Sequence, residues 1–289
     1  MRRRSAVAEP RGLVLPAGLY YALFFIAPLA LIGAYAFADR EGFFRITFGL
    51  YGHNFTRLWD PLYLGIYKNT LLMALGGTLG CLALGYPFAY WLATRVRKHR
   101  GLLLVLVIVP FWTSILIRTY AWSLLLSRQG PLSTVLQDLG VLSQPLGWLF
   151  TPKAVFLGLL YDYLPLMVFP LYVSIERMDR RLVEASRDLG VGRWGTFRRV
   201  TVPLTMPGII TGCLLVFVPM TGEYVVPTIL GGAKEAYIGP AVADQFLSAI
   251  NYPFGAAMAL GLVAVLLVAI ALYLRVLGRQ AEENLGAAL

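Results

Sequence analysis

Charge is what this chain has least of. Only 14% of its 289 residues are Asp, Glu, Lys or Arg, 58% are hydrophobic, and the mean hydropathy is +0.69. A soluble domain carries about 25% charged residues. The shortfall excludes a disordered chain, a soluble nucleic-acid binder and an ordinary cytosolic enzyme, and makes lipid the solvent for much of the surface. Histidine and cysteine are nearly absent, with two of each. Cys81 and Cys213 lie in apolar runs without CxxC spacing, so neither a disulfide framework nor a metal site is expected. His53 and His99 are isolated and read as loop or interface residues, not ligands. No GxxxxGK(S/T) run occurs, so the chain lacks a phosphate-gripping loop for ATP hydrolysis.

What is present is a series of apolar runs. A helix needs roughly 20 apolar residues to cross a bilayer. Runs of that length cover residues 15–38, 66–94, 101–126, 154–175, 203–222 and 254–277. They predict an all-α integral membrane protein of about six transmembrane helices, with both termini on one side. Prolines inside the runs, including Pro87, Pro110, Pro165, Pro170 and Pro219, are read as kinks that packed membrane helices tolerate. Gly76 and Gly80 form a small-xxx-small pair that predicts a close backbone approach between helices. The first run follows Arg2, Arg3 and Arg4 and ends in Ala36-Phe37-Ala38, like a secretory cleavage site. Its apolar core exceeds the roughly 7–15 residues of a cleaved signal, so an uncleaved anchor is expected.

The segment 95–100 is short, basic and free of acidic residues, which places it in the cytoplasm. The termini and the loop 176–202 then lie inside as well. The basic residues gather on these inner segments, so the net charge of +10 reads as an orientation signal, not as a nucleic-acid footprint. The organisation expected is an inner segment 1–14, one membrane domain 15–278 and a cytoplasmic tail 279–289.

The loop 176–202 is long for a compact helical protein. Asp179 is placed to cap a short helix starting at Arg180. Leu182, Ala185, Ser186 and Leu189 share one helical face, and Gly190 follows as a stop. A second amphipathic stretch runs from Trp194 to Val202, and Pro203 is placed to start the fifth span. The pair reads either as a helix–turn–helix lying on the inner leaflet through Arg193, Arg198 and Arg199, or as a docking surface for another protein. The run Gly190-Val191-Gly192-Arg193-Trp194-Gly195 spells GxGxxG, but with no preceding strand it is not a dinucleotide fingerprint.

Glu184-Ala185-Ser186, then Gly190, then Val200, Val202 and Pro203 resemble the EAA motif of bacterial ABC importer permeases. That pattern is Glu-Ala-Ala, a Gly four residues after the last Ala, then Ile-x-Leu-Pro. Ser186, Val200 and Val202 are the departures, each preserving size and character. The resemblance implies a coupling helix carrying Glu184, Ala185, Ser186, Asp188 and Gly190, seated on a separate ATPase subunit. Further stretches are similar to the spermidine/putrescine permeases: VPFWTSILIRTY at 109–120, PLTMPGII at 203–210, GEYVVP at 222–227, Leu230-Gly231-Gly232 and Tyr252-Pro253-Phe254-Gly255-Ala256. This implies a type I importer permease fold in the bacterial inner membrane. It also implies a second permease, two ATPase subunits and a periplasmic or lipid-anchored solute-binding protein as partners. ATP and magnesium would be used by the ATPase, with no cofactor on this chain. The solute implied is a polyamine; permeases for iron, thiamine, opines and similar solutes share the broad group. A self-sufficient secondary transporter is the remote alternative, and it would show an inverted repeat that is not found here.

Charges at bilayer depth cost roughly 2.5–3.5 kcal/mol on insertion scales and normally face a cavity or a partner. Arg118, Asp162 and Glu223 are such charges. Arg118 and Asp162 lie at similar depth, about 12 Å below the outer ends of consecutive spans, which predicts a structural ion pair. Glu223 beside Tyr224 suits an ammonium-bearing solute by charge pairing and cation–π contact. Asp162, Trp112 and Tyr161 complete the candidate solute path, with Tyr120 and Tyr163 as further rings. The competing reading of these rings is an interfacial aromatic belt.

Overall fold

The computed structural model describes residues 16, 18–42, 45–96, 98–232 and 236–286, and beyond residue 271 it describes a side chain only at Arg275. The expected N-terminal segment 1–14, the basic Arg97 and the end of the tail at 287–289 therefore lie outside the described residues. Five helices are long and apolar enough to cross a membrane, and a bent pair makes a sixth crossing when taken as one span. They are α1 (Gly18–Ala36), α3 (Pro61–Thr94), the bent pair, α7 (Pro152–Glu176), α9 (Arg193–Thr221) and α12 (Tyr252–Gly286).

The chain divides into two compact units. The first joins residues 1–63 to 242–265. After α1 it carries a short antiparallel hairpin, β1 (Asp39–Glu41) with β2 (Arg45–Thr47), then helix α2 (His53–Arg57). The hairpin is unannounced in the sequence because three-residue polar strands leave no alternating pattern. Buried Asn54 donates to the carbonyls of Ala36 and Ala38, satisfying the C-terminal end of α1. Arg40 donates to the Ala249 carbonyl at 2.8 Å, and the Arg57 guanidinium lies over the Phe254 ring.

The second unit, residues 64–241 and 266–289, is built around α7. Its Val155, Leu159, Met167, Val168 and Leu171 are fully buried. On α9, Gly208 lies against Ser174 and the Pro170 carbonyl of α7, and a methyl group there would collide with both. On α3 the expected backbone approach at Gly76 and Gly80 takes another form. Gly80 receives the side chains of Leu160 and Phe156, and Gly77 receives Met220, so these glycines accommodate side chains.

The third span differs from the uninterrupted helix 101–126. It consists of α4 (Arg100–Ile108), a 3-10 turn (Val109–Trp112) and α5 (Ile115–Leu126). The stretches Arg100–Trp112 and Ile115–Asp138 meet at 91°. Pro110 does break this helix. It has no N–H to continue the ladder. Thr113 adds a competing bond, its hydroxyl donating to the Pro110 carbonyl at 2.7 Å. Thr113 and Ser114 are then extended.

The second arm of the inner loop is also different. Arg193 to Thr221 form one helix of 29 residues, and Pro203 lies inside it. A π-turn at Phe197–Thr201, closed by the Val202 N–H donating to Phe197, comes just before the proline. The wider turn rearranges the carbonyls that Pro203 cannot bond. The remaining elements are α6 (Pro131–Asp138), α8 (Arg180–Asp188), α10 (Val225–Gly231) and α11 (Ile238–Leu247).

Candidate functional site

Two clusters gather the chemistry-bearing residues. In the first, Arg118 on α5 meets Asp162 on α7, with Nε 3.1 Å from Oδ1. Their side chains are 10% and 4% exposed. The contact is a charge pair lacking hydrogen-bond geometry at those two atoms. The guanidinium also donates from Nη1 to the Pro110 carbonyl at 2.7 Å, and it lies 5.7 Å from the Phe111 ring.

The next residue on α7, buried Tyr163, donates its hydroxyl to Glu223 Oε2 at 2.6 Å. Glu223 Oε1 accepts the Val225 N–H at 2.9 Å, an orphan donor at the start of α10. Gly239, in the first turn of α11, abuts the Glu223 backbone carbonyl so closely that a methyl group would overlap it. Glu223 is half-buried, and its carboxylate is aimed by two donors. Each oxygen keeps a free lone-pair direction, so the group remains able to face a cation.

Arg118, Asp162, Tyr163 and Glu223 thus form one polar chain across α5, α7 and the turn before α10. Tyr161 is turned aside, half-exposed, its ring edge-on to Trp122 at 5.5 Å. Trp112 sits on the break of the third span, 83% exposed, and Tyr224 is exposed. Among the described residues, no hydrogen bond or ring contact joins the side chains of Trp112 or Tyr224 to that chain. The carboxylate–tyrosine bond was missed in the sequence, where Tyr163 was one ring among several.

The second cluster is the loop 176–202. Asp179 caps α8 by accepting the Arg181 N–H at 3.0 Å. Gly190 has φ +82°, the left-handed conformation of a helix stop, with open space around its Cα. Conformation, not crowding, demands glycine there. Ser186, one departure from the EAA pattern, is buried, and its hydroxyl meets Thr196 Oγ1 at 3.2 Å, tying the two arms together. Arg180 donates to the Ala93 carbonyl at the C-terminal end of α3 at 2.7 Å, a link without a local signature in the sequence. Glu184, Ala185 and Asp188 are exposed. Asp188 ends α8, where the helix field disfavours a carboxylate. Leu189 is 84% and Trp194 74% exposed, which leaves a bare apolar face beside these charges. Gly190, Gly192 and Gly195 follow a helix, not a strand, so the GxGxxG run has no dinucleotide-binding context.

Comparison with known proteins gives the family and the fold. A family model described as "Binding-protein-dependent transport system inner membrane component" matches residues 85–281. The chain is 48% identical over 252 residues to the spermidine/putrescine transport system permease protein PotB of Escherichia coli K12, covering 87% of this chain and 91% of that protein. The PotB protein of Haemophilus influenzae is 44% identical over 252 residues, covering 87% and 88%. A chain of a bacterial alginate ABC transporter, solved with an alginate-bound periplasmic protein, superposes with a TM-score of 0.71 at 18% identity, covering 91% of each chain. That likeness carries the fold alone. The chain is a multi-pass, non-catalytic subunit of the ABC-transporter permease fold, and it belongs to the family of binding-protein-dependent transport system inner membrane components.

Proposed function

We propose that this subunit forms half of the membrane path of a polyamine importer. The observation that carries the reading is 48% identity along nearly the whole chain to a spermidine/putrescine permease. The site chemistry supports it. Asp162 neutralises Arg118, which removes the cation that would repel a polyamine, and leaves Glu223 as a carboxylate aimed by Tyr163. A half-buried carboxylate beside a tyrosine suits an alkylammonium by charge pairing. An open, mainly apolar cleft of about 760 Å³ along α7 and α9, lined by Phe169, Pro170, Val173, Leu204 and Pro207, suits contact with a second permease.

The inner loop is the coupling element in this reading. Glu184, Ala185, Asp188, Leu189 and Trp194 offer exposed charged and apolar groups to an ATPase subunit. Gly190 and the Ser186–Thr196 contact fix the turn between the arms. Motion of α8 reaches α3 through Arg180 and enters α9 directly, because the second arm is continuous with that span. The solute-binding protein delivers from the opposite side, and the termini lie in the cytoplasm.

The test is complementation. Cells lacking their own polyamine uptake and synthesis receive this permease together with its neighbouring ATPase, second permease and binding protein. Growth on micromolar spermidine or putrescine is the expected outcome. No growth, with the delivered binding protein retaining a different solute, would overturn the polyamine assignment.

A further inference from the structure

The break in the third span leaves one carbonyl where a helix would have used it. In an unbroken helix the Pro110 oxygen would accept the Ser114 N–H. Ser114 is extended instead, with φ −58° and ψ 133°. The oxygen is taken by three other donors: the Thr113 N–H at 3.2 Å, the Thr113 hydroxyl at 2.7 Å and Arg118 Nη1 at 2.7 Å. The first two are local and hold the turn. The third comes from the outer half, one turn into α5, and reaches back to the end of the inner half. The same guanidinium sits 3.1 Å from Asp162 on α7 through Nε. One side chain therefore grips the end of the inner half, belongs to the outer half, and is charge-paired to the fourth span.

A second observation concerns room to move. Beside the break lies an apolar cleft of about 260 Å³, lined by Ile108, Phe111, Pro165, Leu166 and Phe169. Its walls are the end of α4, the 3-10 turn and α7. An apolar groove next to a break has no side chain of this subunit packed across it to hold α4 in one place, and packed elements shift between discrete arrangements, not continuously. We propose that Arg118 is a positioning residue, a latch that sets the bend of the third span by bridging the Pro110 carbonyl and the Asp162 carboxylate. Loosening the latch lets α4 swing toward the cleft and separates ATP hydrolysis from solute delivery. Lysine is a poor substitute, since one ammonium lacks the fork that serves two acceptors on different elements.

The test uses the complete importer in lipid nanodiscs. Spin labels replace Leu106 on the inner half and Leu124 on the outer half, both exposed, with Cys81 and Cys213 changed to alanine. Their separation reports the bend. Arg118→Ala should shift and broaden the distance distribution. It should also raise basal ATPase activity severalfold, with loss of its stimulation by loaded binding protein. Arg118→Lys should lie between Arg118→Ala and wild type, and Asp162→Asn should move the distribution in the same direction. Should Arg118→Ala fail to assemble, the two near-isosteric variants carry the test. Wild-type distances together with a wild-type stimulation ratio in Arg118→Lys and Asp162→Asn would overturn the latch. The readouts do not depend on which solute is carried.

Discussion

At the scale of single residues, Tyr163 and Glu223 define the sharpest expectation. The Tyr163 hydroxyl spends its hydrogen on Glu223. Hydrogen bonds to charged groups contribute about 1.5–3 kcal/mol. The bond is internal, so Tyr163→Phe should raise the apparent KM for the solute by loosening the aim of the carboxylate, with a smaller change in the maximal rate. Glu223→Gln should raise it at least as much, since the negative charge itself is removed. Uptake kinetics of a labelled polyamine check both, and unchanged KM in both variants would remove Glu223 from the path. Gly239→Ala tests the same site from the backbone side. The added methyl meets the Glu223 carbonyl, and overpacking of this kind costs about 1–3 kcal/mol. A lowered unfolding midpoint in detergent is the expected result. The pairing of Arg118 with Asp162 was suggested by two opposite charges, each isolated in an apolar run of neighbouring segments, although the depth count assumed a straight span that the 91° bend does not provide. The Tyr163–Glu223 bond was not legible, because 60 residues separate the partners and only tertiary packing sets their approach.

At the scale of elements, the inner loop separates two substitutions that look alike in sequence. Ser186→Ala restores the usual alanine of the motif and removes the contact with Thr196. Thr196 keeps its bond to the Val191 carbonyl, so the loss should be small, about 0.5–1 kcal/mol. Gly190→Ala forces a side chain into the left-handed region, at about 1–2 kcal/mol, and distorts the turn between the arms. ATPase co-purification should survive the first change and weaken with the second. Equal retention in both would contradict the role given to the turn. The first arm of this loop was readable because its cap, amphipathic face and glycine stop are all local signals. The continuity of the second arm with α9 was not. Pro203 is a common helix starter, and only the π-turn at Phe197–Thr201 makes it an interior residue. The third span failed in the opposite direction. Prolines inside membrane helices are often tolerated, and here the outcome depended on donors to the Pro110 carbonyl, one of them eight residues away.

At the scale of the whole molecule, apolar runs of span length read about six crossings, and the structure has five span-length helices, or six with the bent pair counted as one span. The scarcity of charge is what made the few intramembrane charges informative. We propose from the basic excess of their loops that Arg95, Arg100, Arg180 and Arg193 lie together on the cytoplasmic side. Single cysteines at Leu189 and Trp194, both exposed, should react with a membrane-impermeant reagent only in inside-out vesicles, and binding of the ATPase should protect them. The central claim, an ATP-driven polyamine path coupled through the 176–202 loop, is tested most directly in proteoliposomes holding the full importer. Labelled spermidine and its binding protein are supplied outside, and ATP is enclosed with the ATPase. The expected result is accumulation that requires ATP and is abolished by Glu184→Lys, while the variant complex still binds ATP. ATP-independent accumulation, or full activity with Glu184→Lys, would contradict it.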